Sequence, residues 1–276
     1  MQKDQVKVVL VTGKSGAGKQ PRIDAICDFF GAQQLSTGNI FRELIGKFNA
    51  SGFQLPIAAL WNSAANAFHT DAELTALLTA NCKTPAAPAD VPQVILGGKA
   101  KYYVENGLFC PDELTNALFA SAFVALLHAG KKIVLDGFPR TVAQYHFLKQ
   151  LLEQEHQRID FDLHVELDDD FIVRRATGRR ICPKCQAVYH TIFVPARDGR
   201  FCKTCPGDVE VKQRADDSTE EKLRCRLHEF AEKVVPMLEE VKADHVPFVV
   251  IPGHLEDPSK ESLRRSVLSA VEPLFH

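Results

Sequence analysis

Residues 6–19 of the chain read VKVVLVTGKSGAGK, and this stretch decides the fold. Residues 6–11 are almost continuously apolar, which is typical of a strand buried on both faces of a parallel sheet. Residues 13–19 fit the pattern G-x-x-x-x-G-K, and apolar residues at helical spacing follow from Ile23. A strand, a glycine-rich loop and a helix in this order predict a phosphate-binding loop.

The residue types in this loop suit phosphate. Glycines let successive backbone N–H groups converge on phosphate oxygens, and the following helix points its positive end at the anion. The glycines at 13, 16 and 18 are spaced differently from those of the dinucleotide-binding motif, which excludes that alternative. The loop residues expected to bind a nucleoside triphosphate are Gly13, Ser15, Gly16, Ala17, Gly18 and Lys19.

The two residues after the loop depart from the usual pattern. Gln20 and Pro21 follow Lys19, where a serine or threonine normally stands. Proline is tolerated in the first helical turn, so the helix is still expected to form. The hydroxyl that normally contacts the metal or the phosphate is missing. A nucleotide-binding scaffold with weak or no turnover is therefore an alternative to an enzyme.

Short apolar runs alternate with helical patterns along the rest of the chain. This alternation predicts parallel strand pairing and an α/β sheet covered on both faces. The further strands are expected at residues 133–135, 163–167 and 248–251, with a short one ending at Leu35, and helices are expected at 111–128 and 221–241. Two stretches interrupt the alternation. Residues 46–93 are rich in alanine, with helical spacing over 56–79, and residues 182–211 are rich in cysteine and basic residues.

The composition is ordinary for a globular protein, with 45% hydrophobic and 25% charged residues. The 33 Lys and Arg residues nearly balance the 35 Asp and Glu residues, so neither nucleic acid nor a membrane is expected as a partner. No apolar run approaches the length needed to span a bilayer. Residues 1–5 lead into the first strand without an apolar or Arg-rich leader, which favours a cytoplasmic location.

Four of the eight cysteines stand as two Cys-x-x-Cys pairs separated by sixteen residues. This spacing is typical of a tetrahedral zinc site that ties two turns together, and four thiolates leave no open position for catalysis. Unmetallated cysteines and a zinc ribbon that binds nucleic acid are the alternatives, and the balanced charge argues against the ribbon. The expected ligands of a structural zinc ion are Cys182, Cys185, Cys202 and Cys205.

With the loop placed, further motifs resemble those of adenylate kinases. They are Leu35-Ser36-Thr37-Gly38-Asn39-Ile40-Phe41-Arg42, residues 107–114, Leu135-Asp136-Gly137-Phe138-Pro139-Arg140-Thr141 with Gln144 following, Thr177-Gly178-Arg179-Arg180 before the Cys-rich insert, Gln213-Arg214-Ala215-Asp216-Asp217 after it, and Leu223-Arg224-Cys225-Arg226-Leu227. Their order and approximate spacing are similar to the long-lid type of this family. The resemblance covers most of the chain outside residues 46–93.

The resemblance implies a role for each matching residue. AMP would be bound by Thr37, Arg42, Cys110, Gly137, Arg140, Gln144, Arg214 and Arg226, with Arg42 and Arg140 on its phosphate and Gln144 on its adenine. ATP would be bound by the loop together with Arg175 and Arg179. The catalytic set would be Lys19, Arg140, Arg175, Arg179, Arg214 and Arg226, with Asp136 holding magnesium through water. Asp216 and Asp217 would orient the lid arginines.

The chemistry gives an independent reason for so many arginines. Phosphoryl transfer needs in-line positioning and donors aimed at the equatorial oxygens, and the arginine fork is always charged and matches phosphate. Three arginines outside the motifs, Arg22, Arg158 and Arg197, are expected to be solvated surface charges.

The resemblance further implies an α/β P-loop nucleoside-triphosphate-binding fold with a central parallel sheet and two inserts. The core would comprise residues 1–34, 108–180 and 212–276, the acceptor-binding arm 35–107 with an insertion at about 46–93, and the zinc-tied lid 181–211. The implied reaction is reversible, magnesium-dependent transfer from ATP to AMP, giving two ADP, in a monomer. Another nucleoside monophosphate as acceptor is the alternative.

Overall fold

The computed structural model describes residues 5–84, 86–87, 89–106, 108, 110–185, 187–192, 194–213, 219–255 and 259–275. The strands in these ranges are β1 (Val8–Thr12), β2 (Ala32–Ser36), β3 (Trp61–Asn62), β4 (Ala67–Phe68), β5 (Lys132–Asp136), β6 (Phe161–Glu166), β7 (Arg179–Ile181), β8 (Val188–His190) and β9 (Phe248–Pro252). The α-helices are α1 (Lys19–Phe30), α2 (Thr37–Ala50), α3 (Asp71–Asn81), α4 (Val91–Glu105), α5 (Asp112–His128), α6 (Val142–Gln154), α7 (Asp169–Thr177), α8 (Glu220–Glu229), α9 (Val235–Ala243) and α10 (Lys260–Val271).

A five-stranded parallel sheet lies at the centre of the molecule, in the order β2-β5-β1-β6-β9. All five residues of β1 are buried, because strands flank it on both sides and helices cover it above and below. Val11 near the end of β1 pairs with Asp136 at the end of β5. The predicted α/β fold with a central parallel sheet is confirmed, and the carboxyl ends of neighbouring strands meet at the edge that carries the glycine-rich loop.

Helices pack on both faces of this sheet. On one face, α5, α6 and α9 pack against the sheet through buried side chains such as Phe119, Leu148 and Met237. The opposite face buries α1 and α10 through side chains such as Ile26 and Val267. None of the helices in the described ranges is long and apolar enough to cross a membrane.

The residues between β2 and α5 form an arm with its own hydrophobic core. Within it, α2 and α4 cross so closely that a Cβ atom on Gly97 would lie 2.1 Å from the carbonyl oxygen of Leu44. The buried side chains of this core are Phe48, Leu60, Leu74, Leu78, Val94 and Ile95. The arm is therefore a packed unit built around the α2–α4 crossing.

Residues 56–79, which have helical spacing in the sequence, are helical only in part. The segment instead forms a 3₁₀ turn at Ile57–Leu60, the antiparallel β3–β4 hairpin and the larger part of α3. In the hairpin turn the Asn62 side chain accepts two backbone N–H groups, which stabilises the reversal. Thr70 then starts α3 in a reciprocal capping box with Glu73. Turn and cap chemistry thus outweighs hydrophobic spacing here.

The Cys-rich segment forms a small subdomain with its own two-stranded sheet. β7 and β8 pair antiparallel at its base, and the bridge between Ile181 and Lys212 brings its two ends together. Its buried hydrophobic residues are Cys182, Tyr189, Ala196, Cys202 and Val211. The core is small, which agrees with a segment that depends on its four cysteines for order.

The helix predicted at residues 221–241 is present but interrupted. A π turn at Phe230–Val234 joins α8 to α9, and the N–H of Val235 bonds to the carbonyl of Phe230. Pro236 has no N–H and its ring clashes with the carbonyl four residues earlier, which accounts for the break. Phe230 and Val234 line the cleft described below, so the irregular turn faces the candidate site.

Candidate active site

The glycine-rich loop connects the buried end of β1 to α1. Three of its residues have positive φ: Gly13 at 129°, Gly16 at 94° and Gly18 at 90°. A Cβ atom on Gly13 would lie 2.3 Å from the carbonyl oxygen of Val165, so only glycine fits there. α1 begins at Lys19 with Pro21 in its first turn, as expected. The loop thus has the backbone shape that the sequence predicted.

Lys19 folds back over the loop. Its Nζ donates to the carbonyl oxygens of Gly13 at 2.8 Å and Lys14 at 3.3 Å. Desolvation lowers the pKa of Lys19 to about 8; the Asp136 carboxylate opposes this shift, and the guanidinium groups of Arg140, Arg226 and Arg179 add to it. The ammonium is thus held among three arginines contributed by three separate motifs.

A cleft of about 510 Å³, including its open mouth, lies beside the loop. One wall is formed by the loop with Lys19, and the other by residues 137–140 together with Arg226. The Arg226 guanidinium donates to the hydroxyl of Ser15 in the loop. The structure therefore brings the predicted phosphate loop to one cavity with residues 137–140, which belong to the predicted AMP-binding motif at residues 135–141, called the acceptor segment below.

Hydrogen bonds hold the acceptor segment in place and join it to α2 and α5. Thr37 Oγ1 and Arg140 Nε both donate to the carbonyl oxygen of Gly137, each at 2.8 Å. Gln144 is buried; its Oε1 accepts the N–H of Arg140 at 2.8 Å and its Nε2 donates to Asp112 at 2.7 Å. Asp112 was not selected from the sequence as a partner of Gln144, although it lies in the motif at residues 107–114 and starts α5.

Two further predicted acceptor residues lie around this segment. The Arg42 guanidinium donates to the side-chain oxygen of Asn39, one helical turn earlier in α2. Burial raises the pKa of the Cys110 thiol to about 12, with Arg140 opposing the shift, so Cys110 is a neutral thiol and no nucleophile. Arg214, Asp216 and Asp217 lie outside the described residues.

The donor side contains an arginine that the sequence placed wrongly. Arg22 was expected at the surface, yet it is only 2% exposed and donates to the carbonyl oxygens of Gly18, at 2.8 Å, and Pro252. It thereby ties the end of the loop to the end of β9. Arg175 reaches the neighbouring turn, where its Nη1 donates to the carbonyl oxygen of Gly253 at 3.4 Å. Burial lowers the pKa of Arg175, and Arg179 lowers it further.

Asp136 ends β5 and receives two donors from β2. The Gln34 Nε2 and the Ser36 hydroxyl donate to the same oxygen, Oδ2, at 3.1 and 3.0 Å. Gln34 also exchanges hydrogen bonds with Gln20, the residue after Lys19. Neither glutamine was selected as a partner of Asp136 from the sequence, because contacts between separate strands and helices leave no local pattern.

A second carboxylate lies under the loop. Asp162 in β6 is fully buried, and the hydroxyl of Thr12, the last residue of β1, donates to its two oxygens at 2.8 and 2.9 Å. The same hydroxyl lies 2.9 Å from Nδ1 of His164. Burial raises the pKa of Asp162 to about 7, against the hydrogen bonds from Thr12 and the charge of Lys242. This cluster was also absent from the sequence prediction.

The four predicted zinc ligands lie together. Their Sγ atoms are all within 4.8 Å of one another, with Cys182 and Cys205 3.7 Å apart and Cys185 and Cys202 3.6 Å apart. A tetrahedral zinc ion with bonds of about 2.3 Å would hold its sulfur ligands about 3.8 Å apart, so the cluster fits such an ion. All four cysteines are free of disulfides.

The surroundings of the cluster also suit a metal. Burial opposes ionisation of Cys202, but hydrogen bonds from the Tyr189 hydroxyl and from backbone N–H groups outweigh it and lower the pKa of Cys202 to about 5. The Tyr189 oxygen itself accepts the N–H of Lys203 at 2.8 Å, which leaves its hydrogen for the sulfur. A thiolate stabilised in this way is the form that binds zinc.

Comparisons with known proteins agree with this geometry. A family model described as Adenylate kinase matches residues 91–246. An adenylate kinase of Geobacillus sp. (strain WCH70) is 31% identical over 231 residues, which cover 84% of this chain and 84% of that protein. One of Clostridium novyi (strain NT) is 32% identical over 244 residues, covering 88% and 89%. One of Caldicellulosiruptor bescii is 37% identical over 171 residues, covering 61% and 77%.

Proposed function

Because the chain belongs to the adenylate kinase family and is thus a nucleoside monophosphate kinase, we propose that it transfers the terminal phosphoryl group of ATP to AMP, reversibly and with magnesium. One observation carries the proposal. Lys19 of the phosphate loop, Arg140 of the acceptor segment and Arg226 of α8 line a single cleft. A donor phosphate on the loop and an acceptor phosphate on Arg140 would meet there.

On the donor side, the backbone N–H groups of residues 13–18 and the start of α1 bind the ATP phosphates. Lys19 exchanges its hydrogen bonds with loop carbonyls for bonds to the outer phosphate oxygens. Arg175 and Arg179 add positive charge on the side of the ATP phosphates that faces the lid. Asp136 would hold magnesium through water, and that ion would supply charge neutralisation at the phosphates.

On the acceptor side, Arg42 and Arg140 bind the AMP phosphate. Thr37 starts the helix that carries Arg42, and its hydroxyl donates to the same Gly137 carbonyl as Arg140. The Gln144 amide forms hydrogen bonds with the adenine base, and in doing so it gives up its bond to Asp112. The backbone at Cys110 and Gly137 completes the pocket. Because these groups hold the acceptor at a fixed place relative to Lys19, the attacking oxygen lies in line with the bond that breaks.

Catalysis then requires little covalent chemistry. The arginine guanidinium groups of Arg140, Arg179, Arg226 and Arg214 stabilise charge on the transferring oxygens. The lid at residues 181–211 covers the donor site and excludes water, which would otherwise compete with AMP as acceptor. We propose that zinc bound by the four cysteines stiffens this lid and takes no part in the reaction.

The test is a magnesium-dependent assay of ADP formation with a panel of nucleoside monophosphates. We expect AMP to be the preferred acceptor. Arg140→Ala should lower kcat/KM for AMP about 10²–10³-fold, since it removes a donor to the transferring group. Arg158→Ala removes an arginine that is 77% exposed and should leave the rate unchanged. If another nucleoside monophosphate were the preferred acceptor, that nucleotide would take the place of AMP in the proposal.

The departure at Gln20 and Pro21 supports one alternative function, a scaffold that binds ATP without turnover. Protein that binds MgATP yet makes no ADP from ATP and AMP would establish that alternative. If the two residues are the cause, the double variant Gln20→Gly with Pro21→Thr should then gain activity. If it does not, the missing hydroxyl is not the defect.

A further inference from the structure

The residue after Lys19 belongs to a chain of side chains that reaches Asp136. Gln20 Nε2 donates to Gln34 Oε1 at 2.8 Å, and Gln34 Nε2 donates to Gln20 Oε1 at 3.2 Å. Gln34 Nε2 also donates to Asp136 Oδ2 at 3.1 Å. The two amide hydrogens of Gln34 are thus divided between Gln20 and Asp136.

The orientation of both amides follows from the carboxylates at the two ends. Gln20 Nε2 donates its second hydrogen to Asp24 Oδ1 at 2.9 Å, one turn further along α1. Since an ionised carboxylate only accepts, the nitrogen of Gln20 must face Asp24 and that of Gln34 must face Asp136. Flipping either amide would place two oxygens against each other. The chain of hydrogen bonds therefore has one consistent arrangement.

At Asp136 this arrangement fixes the carboxylate. Gln34 and Ser36 are two residues apart in β2 and lie on the same face of that strand, so both donors approach the same oxygen. The terminal torsion of an aspartate is otherwise broad and poorly restricted. Two bonds to Oδ2 hold the group and direct Oδ1 away from β2. Asp136 pairs in register with Val11, two residues before the loop begins at Gly13, so the carboxylate lies beside the loop.

We propose that Gln20, acting through Gln34, is a positioning residue for the Asp136 carboxylate. The inference rests on the proposed function, in which Asp136 holds magnesium through water. Magnesium demands near-ideal octahedral geometry, and partners that orient its ligands affect metal use strongly. Gln20 thus stands where a serine or threonine hydroxyl would normally contact the metal or the phosphate. It does not take over that contact; instead, through Gln34, it fixes the Asp136 carboxylate.

Two measurements test the proposal. The first is the ratio of the ATP dissociation constants without and with magnesium, by calorimetry; the second is kcat at saturating MgATP and AMP. Gln34→Ala should lower the ratio and kcat about tenfold, and Gln20→Ala about threefold, with the KM for AMP unchanged. The double variant should lose no more than Gln34→Ala alone, because Gln20 acts only through Gln34.

Gln33→Ala is the matched control, since Gln33 is the same residue type in β2 but is exposed and lies on the opposite face. The proposal is overturned if Gln20→Ala behaves like Gln33→Ala, or if the losses at positions 20 and 34 multiply. Should the unmutated protein form no ADP, the proposed function fails, and the ratio of dissociation constants still decides the positioning role.

Discussion

Asp162 shows how one residue under the loop makes stability depend on pH. Its side chain is fully buried, and its described hydrogen-bond partner is the neutral hydroxyl of Thr12. Burial raises the pKa of Asp162 to about 7, well above its ordinary value. Between pH 4 and 7 the folded protein keeps a proton that the unfolded chain has lost. Ionisation of Asp162 therefore opposes folding increasingly as the pH rises through this window.

Asp162→Asn removes that opposition while retaining an oxygen that accepts from Thr12. The variant should be more stable than the unmutated protein at pH 8, by up to about 4 kcal/mol for a shift of about three units. The difference should shrink as the pH falls toward 4. Urea unfolding at several pH values measures it, with Asp28→Asn as an exposed control. An equal effect at pH 5 and pH 8 would contradict the assignment.

The residues that the sequence predicted well are those fixed by local chemistry. The glycines of the loop have a recognisable spacing, and each has the positive φ that the loop requires. Arg22 and Asp162 were missed, because their burial depends on what packs against them from distant segments. Nothing around Arg22 in the sequence indicates that Pro252 lies beside it. The proposed roles of Arg140 and Gln144 stay predictions until variants are assayed.

Among the elements, the α2–α4 crossing can be tested with two glycines. A Cβ atom on Gly97 would lie 2.1 Å from the backbone oxygen of Leu44, so Gly97→Ala should destabilise the protein by about 1–3 kcal/mol. Gly46 also lies in α2, but there no atom of the described residues outside the adjoining helix backbone comes within 4 Å of such a Cβ. Gly46→Ala should therefore stabilise the protein by about 0.5–1 kcal/mol. Thermal unfolding measures whether each variant is more or less stable than the unmutated protein. If Gly97→Ala left the stability unchanged, α2 and α4 would have to separate readily to make room for the methyl group.

The Cys-rich segment offers a second test at the same scale. Cys185 is exposed, so Cys185→Ser disturbs little packing and should act through the metal alone. We expect zinc to fall from about one per chain to near zero by elemental analysis, with a lower Tm. Lys184→Ser alters an exposed residue in the same turn and should retain zinc. Full zinc content in Cys185→Ser would contradict four-thiolate binding.

Helices and strands could be predicted where the hydrophobic pattern of a segment and its length indicated the same type of element. β1, β5 and α5 follow from apolar runs or periodicity bounded by turn residues. The β3–β4 hairpin did not, because Trp61 and Phe68 are spaced by seven residues, which also suits a helix. The π turn was missed for a related reason: Pro236 signals a disturbance but not its form.

At the scale of the molecule, the arm has a hydrophobic core separate from the two cores on the sheet. A smaller core buries less apolar surface, so we expect the arm to open with a lower free energy than the sheet. Hydrogen exchange should therefore be faster in α3 than in β1 and β5. AMP should slow exchange in the arm, because a ligand of the folded state stabilises it. Equal protection of arm and sheet would show a single cooperative unit.

The stacking of Trp61 on Tyr102 gives this arm an optical signal of its own. The rings lie 5.1 Å apart and are nearly parallel, at 4°. Trp61 is also the only tryptophan in the sequence. Excitation selective for tryptophan therefore yields fluorescence from the arm alone, with no background from the sheet or the lid. Without any added label, emission can follow the acceptor side of the molecule in real time while absorbance or circular dichroism follows the whole.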